Sequence, residues 1–170
     1  MSSSEGLQSL VDKQAISEQI YRYCRSVDRL DIPLGHAVWH PDGVADYGDV
    51  YCGDGRGVID LICAQHQHTL YHSHQVSNIL IELNGDRAGS ESYVTANLRI
   101  QHGDALKQMT VWSRYIDTWS RRAGVWAIDK RIAVRDFDEI RDVVPLGKVA
   151  SEGRRDHRDV SYTTLPASVV

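Results

Sequence analysis

Cysteine is scarce in this 170-residue sequence, which contains three cysteines and no C-x-x-C pair. This scarcity argues against a zinc ribbon or a disulfide framework and favours reduced, packed thiols at Cys24, Cys52 and Cys63. Apolar runs of membrane-spanning length are missing, and the first ten residues lack the basic start and apolar centre of a signal peptide. We therefore expect no membrane partner and a cytoplasmic location.

An excess of either charge is also missing, since the formal net charge is -4 and the sequence pI is about 6.0. A balanced composition of this kind argues against a nucleic-acid partner. The glycines form no G-x-G-x-x-G or P-loop pattern between a strand and a helix, and no nucleophile elbow is present. Nucleotide-driven chemistry is therefore not expected, and we predict no cofactor.

The run HQHTLYHSH at positions 66–74 is the strongest indication of a metal site. His72 and His74 would share one face of a strand, but His66 and His68 would point apart on a helix. No Glu or Cys companion lies at ligand spacing. We therefore interpret these residues as histidines around a helix-to-strand junction and predict no bound metal.

The most strongly patterned stretch of the sequence lies between Leu7 and Leu30. Its apolar residues recur at helical spacing, and charged residues gather on the opposite side. The apolar stripe consists of Ile16, Ile20, Cys24 and Val27. Asp28 lies on one shoulder of this stripe and Tyr23 on its other margin, so both are expected to border the same buried surface.

Beyond this helix the sequence predicts two shorter helices and then four long strands. The expected elements are helices at 33–39 and 58–70, a strand at 43–49, a Gly-rich turn or loop at 52–57, and strands at 72–83, 87–101, 106–120 and 125–137. This is an α+β order, and a long curved antiparallel sheet closed by helices leaves a concave pocket. We predict one domain over residues 1–141 and an extended tail over 142–170, a candidate lid with an apolar end at 165–170.

His74 is the candidate general base, because neutral imidazole has the unperturbed pKa nearest physiological pH. A hydrogen bond to Asp28 would fix its tautomer and stabilise the imidazolium that forms. The alternative is a hydrogen-bonded core histidine and an Asp28 that forms a salt bridge or interacts with the C-terminal end of the helix.

Arg131 and Tyr47 are the other candidates found from the strand pattern. Arg131 shares its strand face with Ala127 and Ala133, which leaves room for the guanidinium to bind a carboxylate or a developing negative oxygen. The alternative is a surface arginine or one paired with an aspartate. Tyr47 would add a phenol donor to a pocket, or would simply pack in the core.

The stretches AISEQIYRYCRSVDRLD, GVADYGD, HSHQVSN and RYIDTWSRRAGVWAIDKR resemble the SnoaL-like branch of the nuclear transport factor 2-like superfamily over residues 8–137. Relatives such as scytalone dehydratase, lindane dehydrochlorinase and a bile-acid dehydratase eliminate water or HCl without a cofactor. The resemblance implies a cone-shaped α+β barrel, commonly a trimer or dimer. It also implies an Asp28–His74 pair, with Asn78 four residues after the histidine, a pocket tyrosine at Tyr23 and a pocket arginine at Arg131.

The sequence and the resemblance together predict a cofactor-independent lyase that acts on a small apolar cyclic or polyketide-like substrate. His74, Asp28 and Tyr23 are the expected catalytic residues, and Arg131, Tyr47 and Asn78 the expected substrate-binding residues. An isomerase or cyclase that uses the same base is one alternative, and a non-catalytic ligand-binding or oligomerisation subunit is another.

Overall fold

The long amphipathic stretch forms one helix in the computed structural model, which describes residues 3–147 and 153–165. Helix α1 spans Ser3–Arg29, and its predicted stripe is buried, with Ile16, Ile20 and Val27 fully inaccessible. The helix ends where Leu30 adopts a positive φ of 55°. The prediction of an amphipathic helix facing a core is confirmed.

Two short helices follow, with bounds that differ slightly from the predicted ones. Helix α2 spans Ile32–Ala37, and its first turn is capped by the Asp31 carboxylate, which accepts from the Leu34 amide at 3.1 Å. Helix α3 spans Gly55–His66 and therefore begins earlier and ends earlier than expected.

Six strands form a single sheet in the order β2-β1-β6-β5-β4-β3. The strands are β1 (Trp39–Asp46), β2 (Cys52–Asp54), β3 (Tyr71–Asn84), β4 (Arg87–His102), β5 (Ala105–Arg122) and β6 (Val125–Asp142). The predicted antiparallel meander is confirmed as β3 to β6, and β1 joins it by pairing parallel to β6. The α+β class with helices against a curved, mostly antiparallel sheet is confirmed, although the sheet remains open.

The Gly-rich stretch at 52–57 was predicted as a turn or loop, and this prediction is wrong. It forms β2 and the first turn of α3, which the Asp54 side chain caps by accepting from the Gly57 amide at 2.7 Å. A Cβ atom at Gly55 would collide with the Trp39 ring. This glycine therefore permits close packing in an ordered element, and it does not mark a loop.

Strand β3 is interrupted by a bulge between Ser77 and Leu80, where Asn78 adopts a positive φ of 49°. An extra residue at a bulge shifts the alternation of the strand and increases its twist. Asn78 is exposed at this irregularity.

Residues 153–165, beyond β6, lie against the helices. A short helix, α4, spans Ser161–Thr164. Parts of the predicted tail, positions 148–152 and 166–170, lie outside the described residues. No described helix is long and apolar enough to cross a membrane.

Candidate active site

Asp28 and His74 meet where the last turn of α1 crosses β3. The His74 Nδ1 atom lies 2.7 Å from one carboxylate oxygen of Asp28, and the His74 backbone amide donates to both oxygens at 3.1 and 3.0 Å. A carboxylate only accepts hydrogen bonds, so in the neutral form of the ring this geometry assigns the proton to Nδ1 and leaves a lone pair on Nε2. Both side chains are mostly buried, with 9% of His74 and 15% of Asp28 exposed.

A second histidine fixes the helix against the strand beside this pair. The His72 Nε2 atom donates to the Val27 carbonyl oxygen at 2.5 Å, and its Nδ1 atom lies 3.2 Å from the Thr69 hydroxyl. Burial is the main reason that the pKa of His72 is lowered, so the ring remains neutral. Because Val27 immediately precedes Asp28, this bond limits how far the carboxylate can move relative to His74.

The Asp28–His74 pair lies in the wall of a groove of about 630 Å³ between α1 and β3. The remaining wall consists of Gln14, Glu18, Tyr21, Arg22, Cys24, Arg25, Arg29 and Val76. Within the described residues the His74 Nε2 atom has no hydrogen-bond partner. The arrangement therefore offers a free, partly desolvated base beside a space large enough for a small cyclic molecule.

The remaining aromatic and basic candidates form a separate cluster inside the fold. Arg131 makes a two-point ion pair with Asp117, at 2.7 Å from Nε and 2.8 Å from the second amino nitrogen, and both side chains are inaccessible. Its guanidinium carbon lies 4.1 Å from the ring centre of Tyr23 and 3.9 Å from that of Tyr115. The Tyr23 and Tyr47 hydroxyl groups are 2.6 Å apart.

The ionisation of this cluster follows from its burial. Desolvation raises the pKa of Tyr23 and of Tyr115 well above the ordinary value, with neighbouring phenols adding to the effect. Desolvation lowers the pKa of Arg131, but the Asp117 charge and its hydrogen bonds outweigh it, so the net pKa is raised. The phenols are therefore neutral and the guanidinium is charged.

The structure thus divides the predicted site residues into two groups. Asp28 and His74 come together at the groove, whereas Tyr23, Tyr47 and Arg131 come together in the buried cluster and are not among the residues that line the groove. The division follows from helix geometry, because five residues separate the two positions on α1 by about 140°. Asn78, at the bulge, is likewise not among the lining residues.

Sequence reasoning missed several residues that contact these groups. Asp117 could have been found, since it shares a strand face with the aromatic residues Tyr115 and Trp119, and a carboxylate buried on such a face requires a partner. It lies directly opposite Arg131 in the β5–β6 register. His72 gave only the ambiguous signal of the histidine run. Nothing local distinguishes Tyr115 from an ordinary packing residue.

His66 completes the histidine cluster. Its ring centre lies 4.5 Å from that of His72 and 6.1 Å from that of His74. Burial, followed by the neighbouring His72, His74 and Arg155, lowers the pKa of His66 to about 3. No three histidine, cysteine or acidic side chains in residues 3–147 and 153–165 are placed to share a metal ion.

The segment at 153–165 packs against the end of α1. Both terminal nitrogens of Arg25 lie 3.2 Å from the Ser161 hydroxyl, and the Arg25 guanidinium lies 4.6 Å from the Tyr162 ring centre. The Tyr162 hydroxyl donates to Asp31 at 2.8 Å. Arg155 donates to the His66 carbonyl at 2.6 Å. These contacts tie the segment to α1 and α3 near the groove.

The chain is an α+β protein in which helices pack on a curved, mostly antiparallel sheet, and a histidine–carboxylate pair lies beside a groove. Within that class the chain belongs to the SnoaL-like domain family, which matches residues 8–132. Comparison with curated proteins finds no match.

Solved structures with the same fold come from several bacteria. Kfla4162 from Kribbella flavida has a TM-score of 0.71 at 18% identity, covering 77% of this chain and 95% of its own. A candidate scytalone dehydratase from Novosphingobium aromaticivorans has a TM-score of 0.69 at 21% identity, covering 83% and 97%. A hexachlorocyclohexane dehydrochlorinase, LinA-type3 from Novosphingobium barchaimii, has a TM-score of 0.71 at 17% identity, covering 86% and 99%. At these identities the likeness shows the shared fold.

Proposed function

We propose that this protein is a cofactor-independent lyase in which His74 and Asp28 remove a proton from carbon in a small cyclic substrate. The observation that carries the proposal is the 2.7 Å contact from His74 Nδ1 to Asp28, which leaves Nε2 without a partner among the described residues in a side chain that lines the groove. Structural neighbours named for dehydratase and dehydrochlorinase activity support the reaction class.

The proposed elimination needs only this pair. Nε2 takes the proton, the C–H electrons form the new double bond, and the bond from the neighbouring carbon to its leaving oxygen breaks. The Asp28 carboxylate stabilises the imidazolium, which then gives its proton to the departing hydroxide. We assign this proton delivery to His74, because the Tyr23 hydroxyl is buried and bound to Tyr47.

The test is a turnover screen with cyclic β-hydroxy ketones and chlorinated cyclohexanes, with the product followed by absorbance and mass. A positioned base contributes about 10² to 10⁴ in rate, so His74→Ala should reduce turnover by that factor with unchanged thermal stability. Asp28→Asn should lower turnover as well, and His102→Ala, at an exposed position outside the groove, serves as the control. An active His74→Ala variant would refute the proposal.

Two other functions make different predictions in the same screen. An isomerase or cyclase would use the same base and give a product of unchanged mass. A ligand-binding subunit without catalysis is favoured by the packing of Tyr23 and Arg131 into the core, since neither reaches the groove. That function predicts ligand binding with no turnover of any screened compound.

We also propose that the chain forms a homo-oligomer, a trimer or dimer. Support comes from exposed apolar groups on the sheet, since Phe137 and Ile140 are 60% and 61% accessible and Phe137 stacks on Trp112 at 4.7 Å. Sedimentation equilibrium would give the number of chains. The proposed cytoplasmic location is supported by the free thiols at Cys24, Cys52 and Cys63, and the proposed lid role of the tail by its contacts with α1.

A further inference from the structure

Three arginines lie in the groove wall on the same side of α1 as the Asp28 carboxylate. Arg22, Arg25 and Arg29 are spaced at three and four residues, so they follow one another along one helix face. All three line the groove that contains His74. Their charge therefore acts on the same space that the proposed base faces.

These guanidinium groups are poorly neutralised by the protein. Arg25 contacts a hydroxyl and the face of an aromatic ring, at Ser161 and Tyr162, and neither group carries a negative charge. The nearest carboxylate oxygen to Arg29 is that of Asp159, at 3.8 Å. Within residues 3–147 and 153–165, Arg22 has neither a hydrogen bond nor an ion pair.

Ordinary surface arginines extend into water, but Arg25 and Arg29 do not have that freedom. The Nε atoms of both are buried and lack a hydrogen-bond partner among the described residues. Buried polar hydrogens without partners are uncommon in native structures, so the protein satisfies these two guanidinium groups incompletely.

The acidic residues of the groove do not fill this role. Asp28 accepts three hydrogen bonds from His74, and Glu18 accepts from Gln14 at 3.1 Å. No ion pair joins either carboxylate to an arginine of the groove within the described chain. Among the described residues, therefore, the wall combines two arginines that have no ion pair, Arg22 and Arg25, with apolar surface from Cys24 and Val76.

We propose that the groove takes an anionic substrate, a cyclic compound that carries a carboxylate, and that Arg22 and Arg25 bind the carboxylate while the ring lies toward His74. Guanidinium groups suit this task because they donate two parallel hydrogen bonds to a carboxylate. The inference rests on the proposed function for the reacting group, but the binding of the anion is independent of catalysis.

The test compares two probes of equal shape, 2-naphthoate and 2-naphthamide, by titration calorimetry on the full chain. The carboxylate should bind at least about tenfold more tightly than the amide, since hydrogen bonds to charged groups exceed neutral ones in strength. Arg25→Gln should remove most of this preference, and Arg22→Gln should reduce it. Arg56→Gln, which removes an exposed charge from α3, should leave it unchanged.

Equal affinities, a preference that survives both groove substitutions, or no binding of 2-naphthoate at millimolar concentration would each overturn the inference. Ser161→Ala separates loss of charge from loss of the C-terminal contact, because it keeps Arg25, and it should retain the preference. If the protein binds naphthoate selectively but turns over no compound of the screen, the proposed lyase function is refuted and this inference stands. His74-dependent turnover of neutral substrates alone would do the reverse.

Discussion

The buried pair of Arg131 and Asp117 gives the sharpest prediction about the fold. Substituting Asp117 by Asn keeps the shape of the side chain and removes its charge. The fully buried guanidinium of Arg131 then has no counter-ion. Breaking a buried ion pair from one side destabilises proteins by about 3–5 kcal/mol. Two unit charges about 4 Å apart at an effective dielectric constant of 20 interact by a similar amount, about 4 kcal/mol.

This magnitude is a large share of the 5–15 kcal/mol by which domains are commonly stable. For a chain of this length it corresponds to a fall in Tm of about 6–20 °C. The neighbouring phenol rings of Tyr23 and Tyr115 offset part of the loss, since both lie about 4 Å from the guanidinium carbon. We therefore expect a value near the lower end of the range.

Urea denaturation of Asp117→Asn, followed by circular dichroism, measures the loss directly. Replacing both partners, as Arg131→Met with Asp117→Leu, should recover most of it, because apolar groups of similar volume remove two desolvation costs together. If the free energy of unfolding of Asp117→Asn lies within 1 kcal/mol of that of the original protein, the reasoning is refuted. If the double variant also retains turnover, Arg131 acts on the fold, and the substrate-binding role predicted from the sequence is wrong.

Two further predictions concern groups with perturbed ionisation. Burial raises the pKa of Cys24 to about 12 and of Cys63 to about 11, so at pH 8 a disulfide reagent should label one thiol rapidly, the exposed Cys52. Cys52→Ser should abolish the rapid phase of labelling, and rapid labelling of two thiols would contradict the burial of Cys24 and Cys63. Hydrogen bonds from the Arg154 amide and from Ser161 lower the pKa of Asp159, so docking of segment 153–165 should be complete above about pH 4 and weaken as the pH falls below that. Amide chemical shifts of the segment should follow this transition, and a transition that persists in Asp159→Asn would assign it to another group.

Much of the fold was predictable because its signals are local. The 3.6-residue period gave α1, and the Asn84-Gly85-Asp86 turn, with Gly85 at a φ of 60°, gave the β3–β4 hairpin. The parallel pairing of β1 with β6 depends on residues far apart in the chain, and no local pattern encodes it. Strand β6 continues to Asp142 because its charged end pairs with β5, where Lys107 contacts Asp142 at 2.8 Å.

The candidate site was less predictable than the fold. The meeting of Asp28 and His74 was expected mainly from the family resemblance, because two isolated polar residues carry little signal. The helical pattern placed Tyr23 on the opposite margin of the apolar stripe but could not show that Arg131 would draw it into the core. The packing of residues 153–165 depends on tertiary contacts, such as that of Ser161 with Arg25, which the composition of the segment does not encode.

The contact of Arg25 with Ser161 joins positions 136 residues apart, and that of Asp31 with Tyr162 joins positions 131 apart. During synthesis from the N-terminus, helix α1 is therefore made well before its partners in α4. The sheet can therefore assemble and bring Asp28 to His74 while Arg25 is still free. In a newly made chain the Asp28–His74 pair would be in place before α4 fixes Arg25, and a ribosome that stops short of Ser161 would release a protein that has the pair and lacks the contact that holds Arg25.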